Sequence, residues 1–421
     1  MRPATTLVFA IVAAAQFAGC IGQNAQARRD LRRTQQVPAP VSQVSAGVFQ
    51  PQCVTLGQPG QGVFDGEVLS DPARMVFTDT FSGGAMWVAA LDPRTGLFVT
   101  PTGRDQRVAE DVTPLTRIFN GGEWGRDREG AAVYFTKQTN GVDQLWRAPL
   151  TSAATLTATP LTSGRERGSP MPRRDPQADS TQMLFIQDGY QRGTLAWLDR
   201  KQPTETEAQL QDVDKGMSGP RFITGSADLV YATTKGQIAR FRTATNESVV
   251  LTQDSGKKGD PFAWAAPELG GKIAVVAIED MARIVVYAMS DDGARLSRLH
   301  TIEMPAAGDP SWKGGDPHPW IFSLEPFAAD GKSYFSVHAQ RDNVPPPRTT
   351  GSSVWVVSME PINGKLMRMR LDDGTPAKRI DPEFLIGESE VFVYFNVLPA
   401  PWKMVRCTTG IKVGDSPIRY F

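Results

Sequence analysis

The sequence predicts an all-β chain of the β-propeller class, and three observations carry that expectation. Short apolar, strand-like runs recur with a period of roughly 40 to 60 residues. Each is followed by a second such run, and often by a third. Gly (39) and Pro (32) are plentiful while charged residues make up only 21% of the 421, the composition of a chain that turns often. A lone sheet of three or four strands cannot bury both its faces. Stacking such sheets around an axis buries them against one another.

The N-terminus stands apart from the repeat. "MRPATTLVFAIVAAAQFAGCIGQNAQARRD" places Arg2 ahead of an apolar run, Leu7 to Ala15, that is too short to span a bilayer. "FAGC" at 17–20 has the form of a bacterial lipobox. It predicts a signal peptide over 1–19 and lipidation of Cys20, hence a membrane contact through a lipid anchor. "AQA" at 25–27 offers an ordinary signal-peptidase site as the alternative, and either reading implies export. Residues 20–47 lack apolar periodicity and contain Pro, Ser and a cluster of Arg. They are expected to form a flexible tether to a single folded domain over 48–421. Basic and acidic residues balance at 45 each, which removes the electrostatic case for a nucleic-acid partner. A monomer is expected.

The runs follow in order. "RMVFTDT" (74–80), "AVYFTKQ" (132–138), "QMLFIQD" (182–188), "DLVYATT" (228–234), "IAVVAIE" (273–279), "SYFSVHA" (333–339) and "VFVYFNV" (391–397) are rich in β-branched and aromatic residues. Their partners are "AMWVAAL", "QLWRAPL", "TLAWLDR", "GQIARFR", "ARIVVYA", "SVWVVSM" and "WKMVRCT". Third strands are expected at "GLFVTP", "TATPLTSG", "SVVLTQD", "LSRLHTI" and "LMRMRLD". Units built this way cover 65–410 and predict a seven-bladed ring. The alternative is a six-bladed ring in which unit one, with its weak opening strand, is irregular. The ring is expected to be closed by the N-terminal strand, "QPQCVTLG" (51–57), added to the last blade. That arrangement would bring Cys53 beside Cys407 and predicts a disulfide in an oxidising compartment.

"GGEWGRDREGAAVYFTKQTNGVDQLWRAPLTSAATLTATPLTSG" (121–164) resembles the repeat of TolB-type, WD40-like propellers. The turn "RDREG", the strands "VYFTK" and "DQLWRAPL" and the close "TPLTSG" carry the likeness. It is good for unit two and looser elsewhere. The resemblance implies a propeller unit and transfers no catalytic residue. No G-x-S-x-G elbow is present to suggest a propeller-gated serine peptidase.

Chemistry is expected where the unit-opening segments approach the channel. "FDGEVL" (64–69), "GGEWGRD" (121–127), "GSPMPRR" (168–174), "SGPRFI" (218–223), "GDPFAW" (259–264), "GDPHPW" (315–320) and "DPEFLIGESE" (381–390) place Asp65, Glu67, Glu123, Arg173, Arg221, Asp260, Asp316, His318 and Glu388 near one rim. Trp124, Trp264 and Trp320 would offer flat apolar faces beside them. The blander reading makes each Asp the start of a turn, with Pro fixing φ and Trp packed between blades. His318 with Asp316 is a weak metal signal. With no H-E-x-x-H, Cys/His cluster or phosphate loop, neither metal nor cofactor is expected. The loop over 340–353, stiffened by three prolines, is a candidate recognition element against the plainer reading of a surface insertion. Two functions fit. The first is an envelope module that binds a protein or glycan ligand. The alternative is a carbohydrate-active enzyme of the glycoside hydrolase kind using two channel carboxylates.

Overall fold

The computed structural model describes residues 49–80, 84–115, 117–118, 120–127, 130–173, 182–188, 194–199, 219–305, 319–340, 351–371, 377–398 and 402–414. Cys20, the expected signal segment, the tether and most of the Pro-rich loop lie outside them. Among the described residues the only helix is one 3-10 turn at Pro267–Leu269. None is long and apolar enough to cross a membrane.

The chain begins with β1 (Cys53–Thr55), then builds antiparallel groups in succession. The first holds β2 (Phe64–Ser70), β3 (Ala73–Thr78), β4 (Gly84–Ala90) and β5 (Gln106–Val112). The second holds β6 (Glu123–Asp127), β7 (Gly130–Thr139), β8 (Val142–Pro149) and β9 (Thr159–Pro160). One bridge, Val112 to Lys137, links these two groups. The third has β10 (Arg167–Pro172), β11 (Gln182–Gln187) and β12 (Thr194–Asp199). The fourth has β13 (Arg221–Phe222), β14 (Leu229–Ala232), β15 (Ile238–Arg242) and β16 (Glu247–Val250). The fifth has β17 (Lys258–Ala265), β18 (Ile273–Glu279), β19 (Arg283–Met289) and β20 (Leu296–Glu303). The sixth has β21 (Trp320–Ala329), β22 (Lys332–Gln340), β23 (Ser352–Ser358) and β24 (Arg368–Arg370). The last has β25 (Lys378–Ile386), β26 (Glu390–Leu398) and β27 (Lys403–Lys412), and β1 pairs onto β27 as its outer strand.

The two strongest runs expected in each unit are all strands. One outer strand differs. "GLFVTP" supplies only a bridge, Leu91 to Phe98, and the outer strand of the first group is "QRVAEDV", β5. The physical reason is a tight turn at Asp92–Gly96. The Gly96 N–H donates to the Asp92 carbonyl at 2.7 Å, with Gly96 at φ 67. The chain is thereby folded back so that the Phe98 ring stacks on Phe77 with centroids 5.7 Å apart. An aromatic side chain is spent on packing, and the pairing edge of β4 passes to the next segment.

Both faces of these sheets are covered, which is why their middle strands read as continuous apolar runs rather than alternating ones. The apolar clusters lie between groups. Trp124, Phe135 and Val76 join the first to the second, and Tyr134 and Phe185 the second to the third. Leu184 and Tyr231 join the third to the fourth, and Ile223 and Tyr287 the fourth to the fifth. Trp264 and Phe335 join the fifth to the sixth, Tyr334 and Phe395 the sixth to the last. Met75 and Phe77 of the first group meet Phe392 and Tyr394 of the last. The Tyr394 hydroxyl donates to the Gly96 carbonyl at 2.7 Å, so a buried phenol also spans that seam. Each fully buried aromatic contributes on the order of 1.5–3 kcal/mol relative to leaving it in water.

Cys53 and Cys407 occupy directly paired positions on β1 and β27 and form a disulfide with an S–S distance of 2.02 Å. The bond connects residues 354 apart in sequence. Its effect is to withhold conformational freedom from the unfolded chain, and a crosslink this long removes much of it. Replacing both cysteines with Ser is expected to lower the unfolding free energy by up to about 5 kcal/mol. The check is a urea titration of the variant beside the parent; an unchanged midpoint would show that the β1 pairing and its packing need no covalent support.

Candidate functional site

The unit-opening segments are themselves strands. β2, β6, β10, β13, β17, β21 and β25 begin the successive groups, and neighbours among them lie side by side: β25 by β2, β2 by β6, β6 by β10, β13 by β17, β17 by β21, and β21 by β25. The expectation of Asp-capped turns at the strand starts is corrected here. The Asp residues sit inside or at the beginning of these strands, within bulges. Register shifts between Phe64 and Glu67, Gly168 and Met171, Gly259 and Phe262, Phe322 and Leu324, and Ile380 and Glu383. In each bulge one residue is left-handed: Asp65 (φ 54), Ser169 (φ 57), Asp260 (φ 49), Ser323 (φ 44) and Asp381 (φ 58). A bulge re-aims one side chain, and Asp tolerates the left-handed region better than most residues because its short polar side chain can bond locally.

The re-aimed side chains reach the next group. The Asp260 carboxyl accepts a hydrogen bond from the Leu324 N–H of β21. The Asp65 carboxyl faces the backbone N–H of Gly121, just ahead of β6. Asn120 donates from Nδ2 to the Pro170 carbonyl of β10 at 3.3 Å. Two glycines make the approaches feasible. A Cβ on Gly121 would stand 1.8 Å from Asp65 Oδ2, and one on Gly219 (φ 44) would stand 2.6 Å from Asp260 Oδ1. Neither position admits a side chain without displacing the carboxyl.

Charge gathers at the N-terminal ends of these strands. Asp65 feels Asp381 and Glu123, from the two neighbouring inner strands, and Glu67 from its own. Asp381 in turn feels Glu67 and Asp260. The nearest opposing charge is Arg221 on β13, whose Nη2 lies 4.0 Å from Asp260 Oδ1 and whose guanidinium stacks 4.6 Å above the Phe262 ring. Asp260 exposes 30% of its side chain and Arg221 27%, so this pair is not sealed in a dry core. Desolvation pushes the Asp65 and Asp381 carboxyls well above the usual carboxylate range, and their like-charged neighbours push further. Desolvation raises Asp260 as well, with Arg221 and the Leu324 N–H offsetting part of it. No three of these groups, among the described residues, are arranged to hold one metal ion.

Asp65, Glu123 and Asp260 are thus brought together, with Glu67 and Arg221. The tryptophans are not. Trp124, Trp264 and Trp320 expose 0%, 1% and 5% of their surface, so the expectation of ring faces for a ligand is corrected. Their rings fill gaps between sheets. Trp124 Nε1 donates to the Glu67 carbonyl at 2.9 Å and Trp264 Nε1 to Ser333 Oγ at 3.0 Å. Glu388 is corrected too. It lies in the turn between β25 and β26, beyond the opposite end of the strand from Asp381, with its N–H on the Pro93 carbonyl at 2.7 Å. Arg173 likewise follows the far end of β10 and bonds Gln182 at 3.2 Å. Asp316, His318 and Cys20 lie outside the described residues. Asp381 was missed, although Asp381–Pro382 repeats the dipeptide Asp260–Pro261. Phe262 and Asn396, the latter accepting the Asp65 N–H at 3.2 Å, were missed with less signal to find them.

No family model matches this chain, and no curated protein is similar to it. Solved structures are. The β-propeller domain of Cps50 (Swd1) from Myceliophteria thermophila is 12% identical, with 85% of this chain and 98% of that one covered and a TM-score of 0.50. The RRP9 WD40 repeats are 11% identical, covering 85% and 97%, with a TM-score of 0.51. A putative TolB from Agrobacterium tumefaciens is 13% identical over 61% and 91%, with a TM-score of 0.38. At such identities the first two likenesses speak to fold alone, and the fold is a WD40-like β-propeller, as the resemblance of the repeat implies.

The raised carboxyls have a signed consequence. Folded Asp381 keeps its proton to higher pH than the same group in the unfolded chain. Its contribution to stability is therefore whole below the ordinary carboxylate range and is lost as pH rises through the folded pKa. Asp381→Asn, which removes the charge but keeps the shape, is expected to stabilise the protein at about pH 8 by on the order of 1 kcal/mol and to change little at about pH 4. Thermal midpoints at the two pH values check this; a variant less stable than the parent at the higher pH would make the carboxylate a latch rather than a strained charge.

Proposed function

We propose that this protein is an exported, seven-bladed β-propeller that binds a ligand or protein in the cell envelope through the acidic mouth of its axial channel. One observation carries the binding site. Asp65, Asp260 and Asp381 are held in left-handed bulges of the strands that open their groups, with their carboxyls pushed above the usual range. Perturbed carboxyls grouped in a concave site are a signature of function. The seven successive strand groups, and the packing of the first against the last, support a ring of seven blades closed by β1. The Cys53–Cys407 disulfide supports an oxidising compartment. In this reading residues 1–19 are removed, Cys20 carries lipid, 20–47 tether the 48–421 domain, and the propeller acts as a monomer without nucleic acid.

The raised Asp65 and Asp381 also favour a second reading. A glycoside hydrolase needs one carboxylic acid that stays protonated near neutral pH beside another that is ionised. The channel mouth holds candidates for both.

A thermal-shift survey of peptides, glycans and amines separates these readings. At least one class is expected to raise the midpoint of the parent and to leave the Asp260→Asn/Asp381→Asn double variant unmoved. If no class does so, the channel mouth is not the binding site. Release of reducing ends from a glycan, lost in the double variant, would select the enzyme. For the anchor, the parent is expected in the membrane fraction and Cys20→Ser in the soluble fraction; equal partitioning of the two would remove the lipid.

A further inference from the structure

We infer that the Cys53–Cys407 disulfide is a redox-sensitive latch: its reduction frees residues 49–55 from the edge of the last sheet while the propeller stays folded. The latch is independent of the channel mouth, so neither falls with the other.

Apart from the disulfide, little holds β1 in place. Cys53, Val54 and Thr55 are all exposed, so the strand adds no buried side chain to the sheet. Its register with β27 has three pairs: Cys53 with Cys407, Val54 with Arg406 and Thr55 with Val405. Just ahead of it, the Gln52 N–H donates to Thr408 Oγ1 at 2.8 Å, and the Gln52 carbonyl accepts the Thr408 N–H at 3.0 Å. Phe49 lies over Gly410 yet keeps 43% of its surface exposed. These contacts sit at an exposed sheet edge, where water competes for the backbone groups. An antiparallel ladder opens from its end, one pair at a time. The crosslink stands at the first pair of β1, the end from which the strand would peel.

Release stops at Leu56. Its side chain is 4% exposed and belongs to the apolar cluster of Phe77, Phe392 and Met404. Its N–H donates to the Met404 carbonyl at 2.8 Å. Beyond it, Gln61 Nε2 donates to the Thr102 carbonyl at 2.7 Å. Val63 is fully buried, and its N–H donates to the Trp402 carbonyl at 3.3 Å. The first group therefore stays joined to the last without the disulfide. Cys407 is itself fully buried in the cluster of the last sheet, where a free thiol packs as a small apolar group.

The step is a thiol–disulfide exchange with a dithiol reductant. One thiolate of the reductant attacks the Cys53 sulfur. The bond to Cys407 breaks, and its electron pair goes to the Cys407 sulfur, which takes up a proton. The second thiolate of the reductant attacks the mixed disulfide and expels Cys53, which is protonated in turn. Two electrons and two protons pass to the protein, and the dithiol leaves as its own disulfide.

Hydrogen exchange of the full-length protein, followed by mass spectrometry with and without dithiothreitol, tests this. Alkylation after denaturation counts the thiols that the reagent has released. Once Cys53 and Cys407 are both free, peptides over 49–55 are expected to exchange at least about tenfold faster. Peptides over β18 and β22 are expected to be unchanged. Cys53→Ser, which leaves the buried Cys407 in place, is expected to show the same pattern with no reductant. Unchanged exchange over 49–55 in the reduced protein and in the variant would show that the pairing holds itself, and would overturn the latch. Faster exchange across β18 and β22 as well would overturn it in the other direction, making the disulfide a lock on the whole ring. A disulfide that yields to dithiothreitol only in denaturant would also remove the latch, because the folded protein could not use it.

Discussion

Burial of both faces of every sheet is the constraint on which the rest depends. No group of strands here can satisfy it alone. β22 and β23 are buried along almost their whole length, which leaves no polar face to turn to solvent. Each sheet must therefore have a neighbour on either side, and the first must find the last. Phe77 and Tyr394 meet for that reason, and so do Phe98 and Gly96 with the neighbouring residues of the last sheet. The disulfide at Cys53–Cys407 reinforces a seam that hydrophobic packing already specifies. The side-by-side placement of the strands that open successive groups follows from the same demand.

A second constraint acts within those opening strands. A regular strand would alternate its side chains and leave the approach to the next group to chance. The bulge with a left-handed residue turns one polar side chain sideways, where Asp260 meets the Leu324 N–H. The bulge is built with Asp and Ser alike, so its structural part needs no charge. That separates two contributions at one position. Hydrogen bonding between groups explains why a short polar residue stands in the bulge. It does not explain why three of them are carboxylates.

Much of the fold was legible because it is written in a repeat. Runs such as "AVYFTKQ" and "VFVYFNV" are apolar on both faces, and that is a consequence of burial which a sequence can display. The pairing of Cys53 with Cys407 was legible through topology. The site was legible in part. Asp65 and Asp260 were found because Asp recurs at the unit openings, and Asp381 obeys the same grammar. The tryptophans misled, since a ring beside a carboxylate in sequence says nothing about which side of a strand each faces. A bulge shifts that alternation by one, so Asp260 keeps 30% of its side chain exposed while Trp264 is sealed between sheets. Asn396 carried no signal at all, because its relation to Asp65 spans 331 residues and exists only when the last group meets the first.

The carboxylates pose the sharper physical question. Serine fills the bulge at 169 and 323, in the same backbone conformation, without adding charge. Aspartate at 65, 260 and 381 brings desolvation, and at 65 and 381 repulsion as well, that raise its own pKa and weaken the folded state at neutral pH. A position where a neutral residue would serve the fold, yet a strained charge is kept, has a local rule broken without a structural return. The glycines at 121 and 219 deepen that conclusion, since each clears room for a carboxyl that the fold alone does not need. The fold therefore leaves the charge at these three positions unexplained, and its strain measures how much an opposing charge would relieve.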